Sequence, residues 1–259
     1  MTLKFPCKIT KFSPLKHSLQ KNNGKHLVIL HAINTYSYIE MNYIDWGLID
    51  YKEAWDKQEH IFEKKVAAKI NSEKNIEQDF IFCEHPHVYT LGKHGERNNL
   101  LINDDFLKKI NATYYHINRG GDITYHGFGQ IVGYPILDIE SLGLSLKGYI
   151  STIEEMIIIT MKEYGIESER LDGATGVWID TNTPKARKIC AIGVKASRHV
   201  TMHGFALNVN TDLKYFQYIN PCGFVDKGVT SMSKELGREI DMEEVRHKLF
   251  ENFVNIISK

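Results

Sequence analysis

The sequence predicts an α/β fold of the α+β type, in which helices flank a core formed by a mixed β-sheet. Several candidate strands follow one another without an intervening helix, which a regular wind of alternating strands and helices would not give. Two segments have the apolar spacing of amphipathic helices, which pack one face against a sheet. The 259 residues, 42% hydrophobic and 25% charged, have a globular composition that excludes a disordered or fibrous protein.

In the first third of the chain the pattern predicts a strand, a helix and a second strand. Residues 26–30 are a short apolar strand candidate after a tail that ends near Gly24. Residues 51–70 carry apolar side chains at near-helical spacing with charges between them, which predicts a helix. An apolar run at residues 79–83 predicts a buried strand, and Pro86 ends it because proline cannot donate to a sheet.

The rest of the chain predicts further strands and two helices. Residues 146–164 repeat apolar side chains every three or four positions, which predicts a helix. A second helix closes the chain, with Asp241 as its N-cap and Glu244 completing a capping box. Short runs bounded by turn residues predict strands at residues 113–117, 123–125, 130–137, 176–179, 189–194 and 205–209.

No composition shift marks a domain boundary. We therefore expect one domain over residues 25–259, preceded by a loosely ordered extension at residues 1–24. The first 39 residues contain six lysines and no acidic residue. An organelle transit peptide is thus an alternative to a cytoplasmic location, although such peptides favour arginine, which this stretch lacks.

Charge and cysteine usage exclude several classes of function. Lysine plus arginine and aspartate plus glutamate both number 32, so no net charge favours nucleic acid or a membrane surface. The four cysteines include no CxxC pair, which argues against a zinc ribbon or a disulfide framework and for a reducing compartment. The HExxH motif is absent, and no other metal-ligand spacing is convincing. The cysteines are Cys7, Cys83, Cys190 and Cys222.

Polar and glycine residues concentrate in residues 119–130. The paired Gly120 and Gly121 let a backbone approach a ligand closely, and Arg119 and His126 bracket them. A hairpin turn would explain the glycines but not the arginine, threonine and histidine together, so we predict a ligand-binding loop. GxGxxG and GxxxxGK[ST] are both absent, which supports neither a Rossmann nor a P-loop phosphate site.

Two further side chains are candidates for chemistry. Strand alternation predicts that Lys188 shares one face with Cys190, Ile192 and Val194. A desolvated lysine there would have a lowered pKa and serve as a base, whereas a solvated lysine at a strand end is an equal alternative. Cys222 lies between a proline and a glycine, which favours a reactive thiol on a turn over a buried one.

Other motifs carry less weight. His203, in a turn predicted to enter a strand, is more typical of a structural histidine than of a catalytic one. No GxSxG motif exists, so the sequence does not support a serine hydrolase.

Together these segments resemble the lipoyl/octanoyl transferase family, the octanoyl-[acyl carrier protein]:protein N-octanoyltransferases of lipoate biosynthesis. The motifs occur in the family's order from about Tyr51 to the C-terminal helix, and the ordered set is specific although no single motif is decisive. Two positions depart from the family pattern, with Phe128 where proline is usual and Ala174 where arginine is frequent. The motifs are Glu84-His85-Pro86 with Val88-Tyr89-Thr90-Leu91-Gly92, Arg119-Gly120-Gly121 with Thr124-Tyr125-His126, Gly176-Val177-Trp178, Arg187-Lys188 with Ala191-Ile192-Gly193, His203-Gly204-Phe205-Ala206-Leu207-Asn208, and Asn220-Pro221-Cys222-Gly223.

The resemblance implies the fold of the biotin/lipoate protein ligase superfamily and a set of roles. It implies transfer of octanoyl from acyl carrier protein to a lysine of an apo lipoyl domain. Cys222 is implied as the nucleophile that becomes an acyl-thioester, and Lys188 as the group that lowers its pKa or acts as its base. The implied substrate-binding residues are Arg119, Gly120, Gly121, Asp122, Ile123, Thr124, Tyr125, His126, Ala191, Ile192, Gly193, Gly204, Phe205 and Ala206.

The same resemblance implies no metal, no ATP and no other cofactor, because the octanoyl group arrives on the phosphopantetheine of acyl carrier protein. The implied acceptors are the lipoyl domains of 2-oxoacid dehydrogenase complexes and the glycine cleavage H protein. We expect a cytoplasmic monomer that binds neither nucleic acid nor membrane. Because carrier proteins are acidic, we expect a local basic docking patch, which we assign to Lys185, Arg187, Lys195 and Arg198.

Three alternatives stay open at this point. An ATP-dependent lipoate or biotin protein ligase of the same superfamily would activate a free acid and need no cysteine. A cysteine hydrolase acting on thioesters would need no acceptor lysine. A non-catalytic module that binds lipoyl domains or acyl carriers would lack a reactive thiol. Lys188 and Cys222 are 34 positions apart, so only the resemblance brings them together.

Overall fold

A computed structural model of the protein describes residues 18–22, 25–31, 38–220 and 227–258. The strands in this part of the chain are β1 (Ser18–Asn22), β2 (Lys25–His31), β3 (Tyr38–Leu48), β4 (Gln78–Glu84), β5 (Val88–Leu91), β6 (Thr113–His116), β7 (Ile123–His126), β8 (Gln130–Ile136), β9 (Glu169–Leu171), β10 (Ala174–Ile179), β11 (Arg187–Ser197), β12 (Val200–Asn208) and β13 (Gly228–Val229). The helices are α1 (Tyr51–Ile70), α2 (Asp104–Lys109), α3 (Leu146–Glu163), α4 (Met232–Leu236) and α5 (Met242–Ile257), with 3₁₀ helices at Arg97–Asn99 and Leu213–Tyr218.

The described strands form a large sheet and a small one. The large sheet has the order β1-β2-β3-β4-β8-β12-β11-β10-β9, and β13 pairs with β11 off this path. The β3–β4 and β11–β13 pairs are parallel and its other pairs are antiparallel, which confirms the predicted mixed sheet. The small sheet has the order β6-β5-β7.

Both faces of the central strands β4, β8 and β12 are buried, which explains why these strands are so apolar. In β4, Phe80 and Phe82 contribute to one hydrophobic cluster and Ile81 and Cys83 to another, as strand alternation requires. Helices α3 and α5 cover the first face, since their apolar stripes belong to the first cluster. Helix α1 covers the second face through residues such as Phe62.

Side chains at the helix starts explain where the three long helices begin. Asp50 accepts hydrogen bonds from the backbone amides of Lys52 and Glu53, which otherwise have no partner in the first turn of α1. Ser145 caps α3 and Asp241 caps α5 in the same way. These caps confirm the predicted starts of all three helices.

Most predicted elements are confirmed, with ends that differ by a few residues. The structure adds β1, β3, β5, β9, β13, α2, α4 and the two 3₁₀ helices, which we did not predict. One local prediction was wrong, because β12 begins at Val200 and His203 lies inside the strand and not in a turn before it. Strand β1 lies within residues 1–24, so part of the predicted extension pairs with the sheet. In the part of the chain that the structure describes, no helix combines the length and apolar character needed to cross a membrane.

Candidate active site

A cavity of about 770 Å³ lies against the middle of the large sheet. Its wall includes residues of β8, β11 and β12, of the loop that precedes β7, of the 3₁₀ helix Leu213–Tyr218 and of α4. A volume of several hundred cubic ångströms is typical of sites for small molecules. The sheet supplies a rigid floor, and the loop and short helices supply the other walls.

The cavity gathers most of the residues that the sequence analysis singled out, although they come from three separate segments. Gly120 and Tyr125 are exceptions. The amide of Gly120 donates to the carbonyl of Val194 (2.9 Å), and Tyr125 packs in the cluster around the small sheet with its hydroxyl bonded to His87. The predicted residues that do line the wall are Lys188, Arg119, Gly121, Asp122, Ile123, Thr124, His126, Ala191, Ile192, Gly193, Gly204, Phe205 and Ala206.

A β-bulge decides where Lys188 points. Val177 lies opposite Cys190 and Trp178 lies opposite Lys188, so Ile189 is an extra residue on β11. The bulge breaks the alternation, and our prediction that Lys188 and Cys190 share a face was wrong. Cys190 is buried in the core, whereas Lys188 lines the cavity.

Lys188 lies over the indole ring of Trp178, with Nζ 4.6 Å from the ring centroid. Burial lowers the pKa of Lys188, because the charged form loses water that the protein does not fully replace. The ring face partly compensates through a cation–π interaction, which favours the ammonium form. Of the two environments that we considered, the structure therefore shows the desolvated one.

Arg119 holds the loop in place with a buried guanidinium. It donates to the carbonyl and hydroxyl oxygens of Thr90 on β5 and to the carbonyl of Gly120, at 2.7–2.9 Å. The loop is also tied to the chain after β5, since the amide of Lys93 donates to the carbonyl of Arg119. A guanidinium with these partners fixes the shape of the cavity wall.

A buried hydrogen-bond network continues from Thr90 under the cavity. The Thr90 hydroxyl bonds Nε2 of His126 (3.4 Å), and Nδ1 of His126 bonds the amide oxygen of Gln130 (2.9 Å). Because an amide oxygen only accepts, Nδ1 of His126 carries a proton. The amide of Gln130 then donates to Asn208 (2.9 Å), whose own amide donates to the carbonyl of Thr230 (3.0 Å).

The histidine of this network is uncharged at neutral pH. Burial, together with the nearby His85 and Arg119, lowers the pKa of His126 to about 3. His203, which also lines the cavity, has its pKa lowered to about 3 for the same reason. Neither imidazole is therefore suited to accept a proton at neutral pH.

The sheet floor needs glycine at two paired positions. Gly193 lies opposite Gly204 in the β11–β12 register. A Cβ on Gly204 would overlap the carbonyl oxygen of Gly133 and come within 2.7 Å of Pro135 Cδ. A Cβ on Gly193 would lie 2.8 Å from the carbonyl oxygen of Gly120. The loop can therefore rest on the sheet only because Gly193 has no side chain, and β8 and β12 can pack closely only because Gly204 has none.

The cysteines divide by environment. Cys83 and Cys190 are fully buried, and burial raises the pKa of both thiols, which disfavours the reactive thiolate. Cys222 lies outside the described residues, as does Cys7. Asn220 and Lys227, the described residues nearest to Cys222 on either side, both line the cavity.

The sequence analysis missed several residues of the wall. Trp178, His203 and Asn208 belong to motifs that we quoted, but nothing in one sequence marked their side chains as part of a cavity. Three lysines had no sequence signal at all, because they lie in short elements without a pattern. They are Lys214, Lys227 and Lys234.

The predicted basic patch is wrong as a single surface. Arg187 and Ser197 are the two ends of β11, which at about 3.3 Å per residue lie roughly 33 Å apart. Lys185 precedes one end and Arg198 follows the other. Arg187 is also neutralised, because Glu235 accepts from its guanidinium (2.7 Å) and Asp180 forms a second ion pair with it.

Comparison with known proteins agrees with this architecture. The lipoyl protein ligase A/B catalytic domain model matches residues 50–254. An octanoyltransferase of Bacteroides fragilis is 60% identical over 205 residues, which cover 79% of this chain and 92% of that protein. An octanoyltransferase of Christiangramia forsetii is 57% identical over 213 residues, covering 80% of this chain and 91% of that protein.

A solved structure shows the same fold at low sequence identity. The bi-partite lipoate protein ligase of Thermoplasma acidophilum superposes with a TM-score of 0.58 at 15% identity, over 82% of each chain. The family model spans most of the chain, and the octanoyltransferases match it over nearly their whole length. The chain therefore belongs to the lipoyl protein ligase A/B catalytic-domain family and, within it, to the octanoyltransferases, which are acyltransferases.

Proposed function

We propose that the protein transfers octanoyl from octanoyl-acyl carrier protein to a lysine of an apo lipoyl domain, through a thioester on Cys222 activated by Lys188. The observation that carries this proposal is the desolvated Lys188 in a cavity wall that also includes Asn220 and Lys227. The segment that contains Cys222 thus begins and ends beside the cavity that holds the base. The raised pKa of both buried thiols supports Cys222 over Cys83 and Cys190.

In the first half-reaction, Lys188 in its neutral form takes the proton of the Cys222 thiol. This help is needed because a cysteine of ordinary pKa, about 8.5, is only a few per cent thiolate at neutral pH. The sulfur attacks the octanoyl carbonyl carbon, and the bond from that carbon to the pantetheine sulfur breaks. The departing sulfur takes the proton back from Lys188. One thioester replaces another, so the step requires no ATP.

In the second half-reaction, the ε-amine of the acceptor lysine attacks the acyl-enzyme carbonyl. The bond to the Cys222 sulfur breaks, an amide forms, and the amine proton passes through Lys188 to the cysteine. Amide formation from a thioester is downhill, which drives the transfer. The Thermoplasma ligase structure includes an E2 lipoyl domain, which supports lipoyl domains as acceptors here. We propose 2-oxoacid dehydrogenase complexes and the glycine cleavage H protein as their source.

The carbonyl oxygen develops negative charge in both steps and needs a hydrogen-bond donor. We considered the backbone amides around Gly120, Gly121 and Gly193 for this role. The Gly120 amide already donates to the carbonyl of Val194, so it is not available. The amides of Gly121 and Gly193 stay candidates for the wall that faces the reacting carbonyl.

Intact-protein mass spectrometry after mixing with octanoyl-acyl carrier protein, without ATP, tests the proposal. We expect the wild type to gain one octanoyl group, and apo lipoyl domain to remove it. Cys222→Ala should gain none. Cys190→Ala is the matched control, because it removes a buried thiol outside the cavity and should still be acylated. Octanoyl transfer only from free octanoate with ATP would reject the proposal and favour a ligase.

A further inference from the structure

The cavity wall carries an excess of positive charge, of which the acyl transfer as proposed uses only Lys188. Among the described residues of the wall, five side chains are cationic and one is a carboxylate. The chain as a whole has 32 basic and 32 acidic residues, so the excess is local. The five cations are Arg119, Lys188, Lys214, Lys227 and Lys234, and the carboxylate is Asp122.

Three of these lysines belong to short segments of the cavity wall, and the segments of Lys227 and Lys234 lie beside the start of β11. Lys227 immediately precedes β13, which pairs with β11 so that Val229 lies opposite Lys188. Lys234 lies in α4, a few residues after β13, and Lys214 lies in the 3₁₀ helix Leu213–Tyr218. The lysines therefore line the same cavity as the base.

The nearest acidic residues in the sequence accept hydrogen bonds from groups other than the two lysine ammonium groups, although the charge of Lys234 helps to lower the pKa of Glu235. Glu235, next to Lys234, forms the ion pair with Arg187 and also accepts from Thr230. Asp212 accepts the backbone amide of Lys214 at the start of its helix. Lys214 and Lys234 are exposed, and neither forms an ion pair with any residue that the structure describes. Their charges are available to an anion from outside.

We propose that Lys214 and Lys234, together with Lys227, form a subsite for the phosphodiester of the phosphopantetheine arm that carries the acyl group. This inference rests on the proposed function. The thioester and its acyl chain are uncharged, so the phosphodiester is the nearest anion to the reacting carbon on such a donor. Lysine binds phosphate as a point charge, without the fixed geometry that arginine imposes.

Because the subsite is exposed, it acts mainly on substrate capture. Interactions between exposed charges are screened within about 10 Å at 0.1 M salt, so we expect the effect to appear in KM and to weaken as salt rises. Coenzyme A carries the same arm, so phosphate recognition alone does not identify the carrier. The test therefore compares small donors that differ only in the phosphate with the full carrier protein.

The experiment measures kcat/KM for octanoyl-phosphopantetheine and octanoyl-pantetheine at low salt. We expect the wild type to prefer the phosphorylated donor by about tenfold, and K214A/K234A to lose most of that preference, at about threefold for each exposed charge. Lys147→Ala is the matched control, because it removes an exposed lysine of α3 that does not line the cavity. Its preference should equal that of the wild type.

Two outcomes would overturn the subsite. One is a wild type that uses both small donors equally. The other is a K214A/K234A variant that keeps the full preference but loses activity with octanoyl-acyl carrier protein, which would assign the lysines to acidic side chains of the carrier. An equal loss with octanoyl-coenzyme A and with the carrier protein would show that the arm's phosphate is recognised whatever its source.

Failure of the proposed function would look different. Calorimetric titration with phosphopantetheine and with pantetheine, neither of which carries an acyl group, measures the subsite without any chemistry. Suppose that no acyl-enzyme forms, but that the wild type still binds phosphopantetheine more tightly than pantetheine and K214A/K234A does not. The subsite is then supported and the acyl-enzyme route is rejected. If the wild type binds the two ligands with equal affinity, the subsite is rejected, whether or not an acyl-enzyme forms.

Discussion

The reactivity proposed for Lys188 depends on an amine that can lose its proton. Arginine at this position would keep its positive charge and so hold a thiolate, but it could not take the thiol proton. We expect Lys188→Arg to form the octanoyl adduct about 100-fold more slowly, a typical contribution of a general base. Single-turnover mass spectrometry measures this rate.

Lys195→Arg is the matched control for that substitution. Lys195 lies on the same strand and also over an aromatic ring, that of Phe62, but it does not line the cavity. It should acylate at the wild-type rate. A wild-type rate in Lys188→Arg as well would mean that the lysine acts only through its charge.

The ring face of Trp178 favours the ammonium form of Lys188 and so raises the pKa of this lysine. Removing the ring leaves burial as the main influence, so the pKa of Lys188 should fall further. A cation–π interaction of about 1 kcal/mol corresponds to roughly 0.7 pKa unit. We expect the rising limb of the pH–rate profile for adduct formation to move to lower pH by about that amount in Trp178→Leu, and by less in Trp178→Phe. A move to higher pH would show that the indole acts mainly by excluding water.

At the level of the strands, the close packing of β8 against β12 depends on Gly204, because its neighbours leave no room for a Cβ. Gly204→Ala would force the β8–β12 pair apart at its centre, because the new atom overlaps the carbonyl of Gly133. Overpacking of this kind costs about 1–3 kcal/mol, so we expect a lower urea midpoint. Gly228→Ala is the control, since its Cβ would lie 3.6 Å from Arg187. Equal midpoints for both variants would contradict this account.

The sequence predicted those elements whose patterns are long or strongly apolar. Helix α1 is confirmed residue for residue, because a cap and twenty residues of helical spacing act together. Strand β5 was missed because all four of its residues are buried, so it shows no alternation of apolar and polar residues. Strand β3 was missed although Met41 and Tyr43 alternate with polar residues, a signal that was present and not used.

The sequence predicted which residues form most of the site but not how they are arranged. The resemblance named most of the wall, since those residues lie in ordered motifs. The face of Lys188 was predicted wrongly, because one extra residue in β11 reverses the alternation and no residue type marks it. The lysines of the 3₁₀ helix and of α4 reach the wall only through tertiary packing, which a single sequence does not display.

For the whole molecule, three buried histidines predict a loss of stability in mild acid. Burial lowers the pKa of His85 to about 4, and the pKa values of His126 and His203 to about 3. Below an ordinary pKa of about 6.5 the unfolded chain binds protons that the folded chain refuses. Stability is therefore complete above pH 6.5 and falls as the pH approaches 4, by up to about 1.4 kcal/mol per pH unit for each histidine.

Urea unfolding between pH 7 and pH 5 tests this prediction, since ordinary carboxylates begin to titrate mainly below about pH 4.5. His203→Asn is the informative variant, because asparagine tolerates the positive φ of 61° at this position. We expect it to reduce the slope by about one third. A flat stability profile in the wild type would mean that the folded protein takes up protons at these sites.

The spread of the cavity wall along the chain also has a consequence for biosynthesis. The wall draws on residues from Tyr51 to Lys234, and the middle of the large sheet joins β4 and β8 to the β11–β12 hairpin, which is distant from both in sequence. The ribosome synthesises the chain from its N-terminus, so a nascent chain contains Lys188 before it contains all of the residues that enclose this lysine. A nascent chain that stops short of α4 would thus have no enclosed chamber, so the cavity becomes complete only after α4 has been synthesised.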